Sequence, residues 1–216
     1  RKSLGDIGGG NKDFDKAREH FESALKLNAS VVDVRMQLIE SYLALKQTER
    51  ARTELNIINE SGQTQARLAD LKARVLSQEG KYQEAFIAFT KASDAFQNDA
   101  SFMVRRAEAA VFSGSFSEAK RLLEEARKID NKNDQTYHLM GRCAFAEEEF
   151  GLSIRYFSQA LKLDNTDTSH RYWLARAYTE RKEETKARKE FDRLILQIGE
   201  RKNVSKEECH SLFLRA

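Results

Sequence analysis

The side chains best suited to catalysis or metal binding are four histidines and two cysteines: His20, His138, His170, His210, Cys143 and Cys209. Zinc sites need such groups in fixed patterns, such as His-Glu-x-x-His on a helix or paired Cys-x-x-Cys, and neither pattern occurs. His138 and Cys143 are five residues apart, so on one helix they diverge by more than one turn. No Ser/His/Asp or Cys/His arrangement stands out either. The sequence therefore predicts no metal site, no cofactor and no enzyme activity.

The glycine-rich segment at residues 5–12 reads Gly-Asp-Ile-Gly-Gly-Gly-Asn-Lys and superficially matches a phosphate-binding loop. A true loop of this kind has Gly-Lys-Ser/Thr at the start of a helix that follows a strand. Here Asn11 replaces the last Gly, Asp13 replaces the hydroxyl residue, and no strand precedes. We therefore expect these glycines to form the turn of a degraded repeat, with a frayed N-terminus.

Charge and hydropathy exclude several classes of partner. The chain has 37 Lys and Arg against 34 Asp and Glu, a net charge of +3 that does not indicate nucleic acid or a membrane surface. Its longest apolar runs, such as residues 109–112, span four residues, whereas a transmembrane helix needs about 20. Two cysteines exclude a disulfide scaffold and favour a cytoplasmic location. Because the chain begins at Arg1 and stops inside an apolar pattern, we expect it to be a fragment of a longer protein.

A period of 34 residues organises the elements that position these side chains. One column holds small residues: Ala17, Ala51, Ala85, Ala119, Ser153 and Ala187. A second column holds large apolar residues: Phe21, Leu55, Phe89, Leu123, Phe157 and Phe191. Three further columns keep the same step, and five columns in one register over six units are very hard to obtain by chance.

Within each unit the apolar positions follow the three- and four-residue steps of an amphipathic helix. The steps break at residues 147–149, where other units have Gly80 or Gly114. They break again at the Asx-rich segments 130–133 and 164–167, whose side chains favour turns and helix caps. Each unit is therefore predicted to be a helix–turn–helix hairpin, and such hairpins stack because one alone cannot bury its apolar face.

These columns resemble the tetratricopeptide repeat family, whose motif has an aromatic at position 4, Leu-Gly at 7 and 8, Tyr at 11, Ala at 20, an aromatic at 24, Ala at 27 and Pro at 32. Besides the two columns above, which are positions 20 and 24, matching residues are Leu4-Gly5, Met140-Gly141 and Leu174-Ala175 at 7 and 8, and Tyr42 and Tyr178 at 11. The resemblance implies an all-α, right-handed α-solenoid of about six hairpins, one array over residues 1–216 without a domain boundary. Its units are 1–31 (incomplete), 32–65, 66–99, 100–133, 134–167 and 168–201, and residues 206–216 look like the start of a further helix.

The sequence departs from the motif at several positions. Position 32 never holds Pro, and position 4 holds Arg35 and Arg171 in two units. The stems of such side chains can lie along apolar surface while the charge reaches water.

The first helices of tetratricopeptide proteins line a concave groove that binds extended peptides or helices, so the resemblance implies a groove here. At the groove positions, the candidate binding residues are Arg105, His138, Arg142, Phe145, Tyr172, Trp173 and Arg176. Exposed aromatics beside arginines are typical of binding hot spots. The alternative is that Tyr172 and Trp173 pack between helices and that the arginines are solvated or pair with glutamates. The carboxylate clamp of chaperone-binding members is not matched in any three consecutive units.

The leading hypothesis is a non-catalytic protein–protein interaction scaffold that binds a partner peptide or helix, with an acidic segment favoured by the arginines. A second hypothesis is a structural spacer or a self-associating segment of a larger assembly, joined through the ends of the array. RNA binding, a third, fits poorly with the net charge of +3.

Overall fold

The computed structural model describes residues 7–27, 31–58 and 65–202, and all regular structure within them is helical. The α-helices are α1 (Ile7–Leu27), α2 (Val32–Ala44), α3 (Thr48–Ile57), α4 (Gln65–Gln78), α5 (Tyr82–Ala92), α6 (Ala100–Phe112), α7 (Phe116–Ile129), α8 (Asp134–Ala146), α9 (Phe150–Leu163), α10 (Thr168–Glu180) and α11 (Glu184–Lys202). A 3₁₀ turn at Ser93–Phe96 extends α5.

From residue 32 onward, each predicted unit holds two helices joined by a three-residue turn. The pairs α2/α3 and α4/α5 pack as hairpins, as do α8/α9 and α10/α11, and neighbouring hairpins pack together through α3 and α4, through α5 and α6, and through α9 and α10. The predicted all-α solenoid of helical hairpins is therefore confirmed. Among the described residues, no helix is both long and apolar enough to cross a membrane.

The chain divides into two compact units, residues 1–122 and 123–216, which we call the first and second units. The first unit has two apolar clusters, one centred on Ile39 and Leu71 and one on Phe89 and Phe102. The second unit has a cluster around Phe157, which is fully buried. The prediction of one array without a domain boundary stays a prediction.

The turns inside the hairpins share one backbone feature. A residue with positive φ recurs every 34 positions, at Lys46, Gly80, Gly114, Glu148 and Lys182, with φ between 56° and 81°. In the first of these turns the amide of Lys46 donates to the Leu43 carbonyl at 3.2 Å, and the next amide donates to the Tyr42 carbonyl at 2.8 Å. This is the Schellman pattern that ends helices in a left-handed residue. The predicted breaks at residues 80, 114 and 147–149 are confirmed.

The Asx-rich segments cap the first helices. Asp99, Asn133 and Asp167, again 34 residues apart, accept backbone amide hydrogen bonds at the starts of α6, α8 and α10. These caps satisfy amides that have no partner within the helix.

Close approach between helices explains a small residue in the second unit. A Cβ on Gly141 of α8 would lie 2.7 Å from the Phe157 ring of α9, a distance that real Cβ atoms do not show. The buried Ser153 hydroxyl donates to the Gly141 carbonyl at 3.0 Å, which fixes the two helices at this crossing.

The arginines at position 4 are held by glutamates of the following helix. Arg35 of α2 pairs with Glu54 of α3, and Arg171 of α10 pairs with Glu190 of α11 at 2.7 Å. Both pairs are largely buried and occupy the same two columns. A buried ion pair within the hairpin therefore takes the place of the aromatic residue in the motif.

The predicted turn at the glycine-rich segment is wrong. Helix α1 is continuous from Ile7 to Leu27 and includes residues 8–10. A glycine costs about 1 kcal/mol relative to Ala within a helix, which weakens the helix without preventing it. Farther along α1, Phe21 and Leu25 pack against the first apolar cluster, and this packing stabilises the helix. The predicted frayed residues before Ile7 and the predicted helix start at 206–216 lie outside the described residues.

Candidate peptide-binding site on the first helices

Trp173 of α10 is the centre of an aromatic group in the second unit. Its ring lies 5.2 Å from Phe145 of α8 and 5.8 Å from Tyr172, both in edge-on geometry, measured between ring centroids. It also stacks at 6.1 Å on the buried ring of Phe157. Trp173 is half-buried, so one part of the ring joins the apolar cluster and another part remains accessible. Such an anchored, amphipathic ring suits a binding surface.

Two arginine guanidiniums lie over these rings. The Arg142 guanidinium carbon is 4.0 Å from the Trp173 centroid, and that of Arg176 is 4.6 Å from the same centroid. Arg176 is also 5.1 Å from the Phe145 ring and 5.8 Å from the Tyr172 ring. Within the part of the chain that the structure describes, Arg176 forms no salt bridge with a carboxylate. We call Arg142, Phe145, Tyr172, Trp173 and Arg176 the arginine–aromatic patch.

His138, which was predicted to bind with these residues, is buried with 7% exposure. Its Nδ1 lies 3.0 Å from Nδ1 of His170, and its ring contacts the Phe157 ring edge-on at 5.5 Å. Burial, reinforced by His170 and Arg142, lowers the pKa of His138 to about 3. His138 is therefore neutral near pH 7. It contacts the patch indirectly, through the Phe157 ring on which Trp173 stacks.

The starts of α8 and α10 bring together a second polar group. Nε2 of His170 lies 3.0 Å from an Asp134 carboxylate oxygen, and His170 is fully buried. Asp134, Asp167 and His170 each present one ligand atom within 4.8 Å of the others. The sequence pattern does not reveal this group, because its members, 33 and 3 residues apart, match no metal-binding motif.

Arg105, the remaining predicted binding residue, lies in the first unit and has an acidic partner. It donates to Asp70 of α4 at 3.1 Å, and Arg74 approaches the same carboxylate group at 3.8 Å. Asp70 is only 6% exposed. Burial lowers the pKa of Arg74, and the Asp70 charge opposes that effect. Arg105 thus belongs to an ion-pair network on the first helices of its own unit.

Comparison with known proteins settles the family. Profiles described as tetratricopeptide repeat match residues 10–75, 76–143 and 138–202. The chain belongs to the tetratricopeptide repeat family. No curated protein sequence matches it.

Solved tetratricopeptide-like structures agree with this chain in fold. MamA 41-end from Desulfovibrio magneticus RS-1 is 17% identical, with a TM-score of 0.66 over 80% of this chain and 97% of that chain. The Cut9 and Hcn1 hetero-tetramer of the APC/C gives 14% identity and a TM-score of 0.69 over 93% of this chain and 38% of that chain. The human IFIT1 dimer with PPP-AAAA gives 20% identity and a TM-score of 0.67 over 87% of this chain and 47% of that chain. At these identities the likeness shows the fold alone.

Proposed function

We propose that this tetratricopeptide chain is a non-catalytic scaffold that binds a segment of a partner protein on the first helices of its second unit. The observation that carries the proposal is the arginine–aromatic patch, in which two guanidiniums lie over the half-buried ring of Trp173. Tetratricopeptide domains typically mediate protein–protein interactions, which supports a protein partner. Clusters of Trp, Tyr and Arg on an accessible surface are the composition of interface hot spots.

The patch chemistry favours an acidic peptide. A guanidinium that stacks on a ring by its face can also donate from its N–H edge to a carboxylate. Arg142 and Arg176 occupy equivalent places on α8 and α10, and packed helices lie about 8–10 Å apart. An extended peptide rises about 3.3 Å per residue, so carboxylates two or three residues apart can meet both arginines. Each charge-assisted hydrogen bond then contributes about 1.5–3 kcal/mol where it is shielded from water.

The intrinsic fluorescence of the protein provides a direct assay, because Trp173 is the single tryptophan of the chain. Acidic and charge-neutral versions of an aromatic-containing peptide library are titrated against the protein, and the Trp173 emission is followed. We expect acidic peptides to change the emission saturably. Arg142→Glu combined with Arg176→Glu abolishes this binding, while circular dichroism shows unchanged helicity.

Arg155→Glu combined with Lys162→Glu is the matched control, because both residues are exposed on the second helix α9 and the two changes together alter the charge equally. We expect it to bind peptide as the unchanged protein does. The proposal is wrong if the variant with Arg142→Glu and Arg176→Glu binds normally. It is also wrong if that variant unfolds, because the two arginines would then be structural.

An apolar hollow at the end of the second unit favours one alternative function, self-association through an array end. The hollow has a volume of about 390 Å³ and lies between α10 and α11; it is lined by Thr179, Ala187, Phe191 and Ile195 together with the charged residues Glu184, Arg188 and Asp192. Light scattering tests this alternative. A mass that rises with concentration, and falls back in Phe191→Glu, supports self-association, whereas a constant monomer mass contradicts it.

A further inference from the structure

We propose that Asp134, Asp167 and His170 form a site for one divalent transition-metal ion, Zn²⁺, which ties the start of α8 to the start of α10. This site is distinct from the arginine–aromatic patch, and it does not depend on the proposed peptide binding. Its three ligands come from two successive hairpins, so the ion would act as an interhelical staple within the second unit.

The donor atoms suit zinc in type and spacing. Two carboxylate oxygens and one imidazole nitrogen lie within 4.8 Å of one another. Zinc binds such atoms at about 2.0–2.2 Å, so ligand atoms of one tetrahedral site are about 3.3–3.6 Å apart. The Asp134 oxygen and His170 Nε2 are 3.0 Å apart and need to separate by a few tenths of an ångström, whereas the Asp167 oxygen, within 4.8 Å of both, needs to approach by up to about 1.3 Å. Both carboxylates are partly exposed, which gives the ion access and leaves the fourth position to water.

The surroundings of the ligands resemble a second coordination shell. A metal-bound histidine usually donates its other ring N–H to an acceptor. If Nε2 of His170 binds the ion, its Nδ1–H donates to Nδ1 of buried His138, 3.0 Å away. The Gln135 side-chain amide lies 3.3 Å from a carboxylate oxygen of Asp134 and 3.3 Å from one of Asp167. Each proposed ligand is thus oriented by a neighbour that is already in place.

Helix capping alone does not require these residue types. The positions 34 residues earlier hold Ala100, Asn133 and Thr136. Asn133 caps α8 just as Asp167 caps α10, so a carboxylate is not needed for the cap. Thr136 is fully buried, as is His170, so the buried site does not need an imidazole. The three metal-ligating residues occur together only at this repeat junction among the described residues.

The site is tested by titrating the protein with Co²⁺ and Zn²⁺. Variants are made with Cys209→Ser and His210→Ala in the background, so that these side chains cannot bind the ion. We expect one equivalent of Co²⁺ to give the visible absorption of a low-coordinate site, and Zn²⁺ to displace it. Zn²⁺ also raises the Tm in a concentration-dependent manner that EDTA reverses, because it binds the folded state.

Asp167→Asn is the decisive variant, because asparagine keeps the helix cap and removes the charged ligand. We expect it to lower Co²⁺ affinity at least tenfold and to abolish the Zn²⁺-dependent rise in Tm. Asp99→Asn, at the equivalent cap of α6, is the matched control and keeps both responses. The proposal is overturned if the background protein binds no Co²⁺ at millimolar concentration, or if Asp167→Asn binds it as tightly as the control.

Discussion

The first helices of both units carry arginines, and those at position 9 occur in both, but the groups that contact these arginines differ between the units. In the first unit, Asp70 lies between Arg74 and Arg105, and Arg67 donates to Glu40 at 3.1 Å. In the second unit, the arginine–aromatic patch holds its guanidiniums over aromatic rings. The first unit therefore pairs Arg67, Arg74 and Arg105 with its own carboxylates, whereas in the second unit Arg142 and Arg176 lie over the Trp173 ring.

The difference shows that a repeat position alone does not specify a binding residue. Arg74, Arg142 and Arg176 share position 9, yet the partner supplied by a neighbouring helix decides what each can do. A buried carboxylate accepts hydrogen bonds from the arginine N–H groups, so fewer of these donors remain for a ligand. An aromatic ring contacts the face of the guanidinium, and Arg176, which lies over such rings, forms no salt bridge with a carboxylate among the described residues.

The largest expected effect on stability comes from removing the Asp70 carboxylate of the first unit. Asp70→Ala leaves two partly buried guanidiniums without their common carboxylate, so we expect the free energy of unfolding to fall by about 2–4 kcal/mol. Urea unfolding measures the change as a lower midpoint with an unchanged m-value. Asp33→Ala is the control, because the Asp33 carboxylate is 79% exposed and its ion pair with Arg67 is long, at 3.8 Å, and therefore weak. Equal, small losses for both variants would contradict the internal ion-pair network.

A second difference lies beneath these surfaces, at position 8 of the repeat. The first unit has fully buried Ile39, Ala73 and Ala107 there, whereas the second unit has buried Ala175 and, against Phe157, Gly141. Gly141→Ala forces the Phe157 ring to move, and we expect it to lower the free energy of unfolding by about 1–3 kcal/mol. Thermal and urea unfolding measure this loss.

Gly151→Ala is the matched control for that variant, because both glycines lie in helices of the second unit. Gly151 is exposed, and a Cβ there meets only the end of the Arg181 side chain at 3.4 Å. We expect this variant to be neutral or to gain up to about 1 kcal/mol from helix propensity. A stable Gly141→Ala would show that the two helices can separate without loss.

A smaller effect is expected from the cations of the patch. Arg176→Gln removes a cation–π contact that contributes about 0.5–1 kcal/mol, far less than the loss expected for Asp70→Ala. The emission maximum of Trp173 shifts, because the charge over its ring disappears. A loss of stability as large as that of Asp70→Ala would place Arg176 among the structural arginines and remove the contrast between the units.

The fold could be predicted from the sequence because the size and polarity of the residue at each repeat position reflect how neighbouring helices pack. Hairpin bounds, the turn at residue 148 and the caps at Asn133 and Asp167 follow from local residue types. The site was less accessible to sequence reasoning, because it depends on which side chains meet across helices. The periodicity placed His138 on the same helical face as Arg142, but it did not show that His170 would hold His138 in a buried contact.

The smallest expected effect tests the turns that the two units share. Lys46 in the first unit and Lys182 in the second have φ of 56° and 60°, where an L-residue is strained, whereas Gly80 and Gly114 occupy the same position without strain. Replacing Lys46 or Lys182 by Gly removes that strain but adds backbone entropy to the unfolded chain, so we expect a net gain of about 0.5 kcal/mol in each unit. Gly80→Ala, which has open space around its Cβ, loses about 1 kcal/mol from backbone strain alone. Urea midpoints measure all three changes, and opposite signs for Lys46→Gly and Lys182→Gly would show that the turns of the two units are not equivalent.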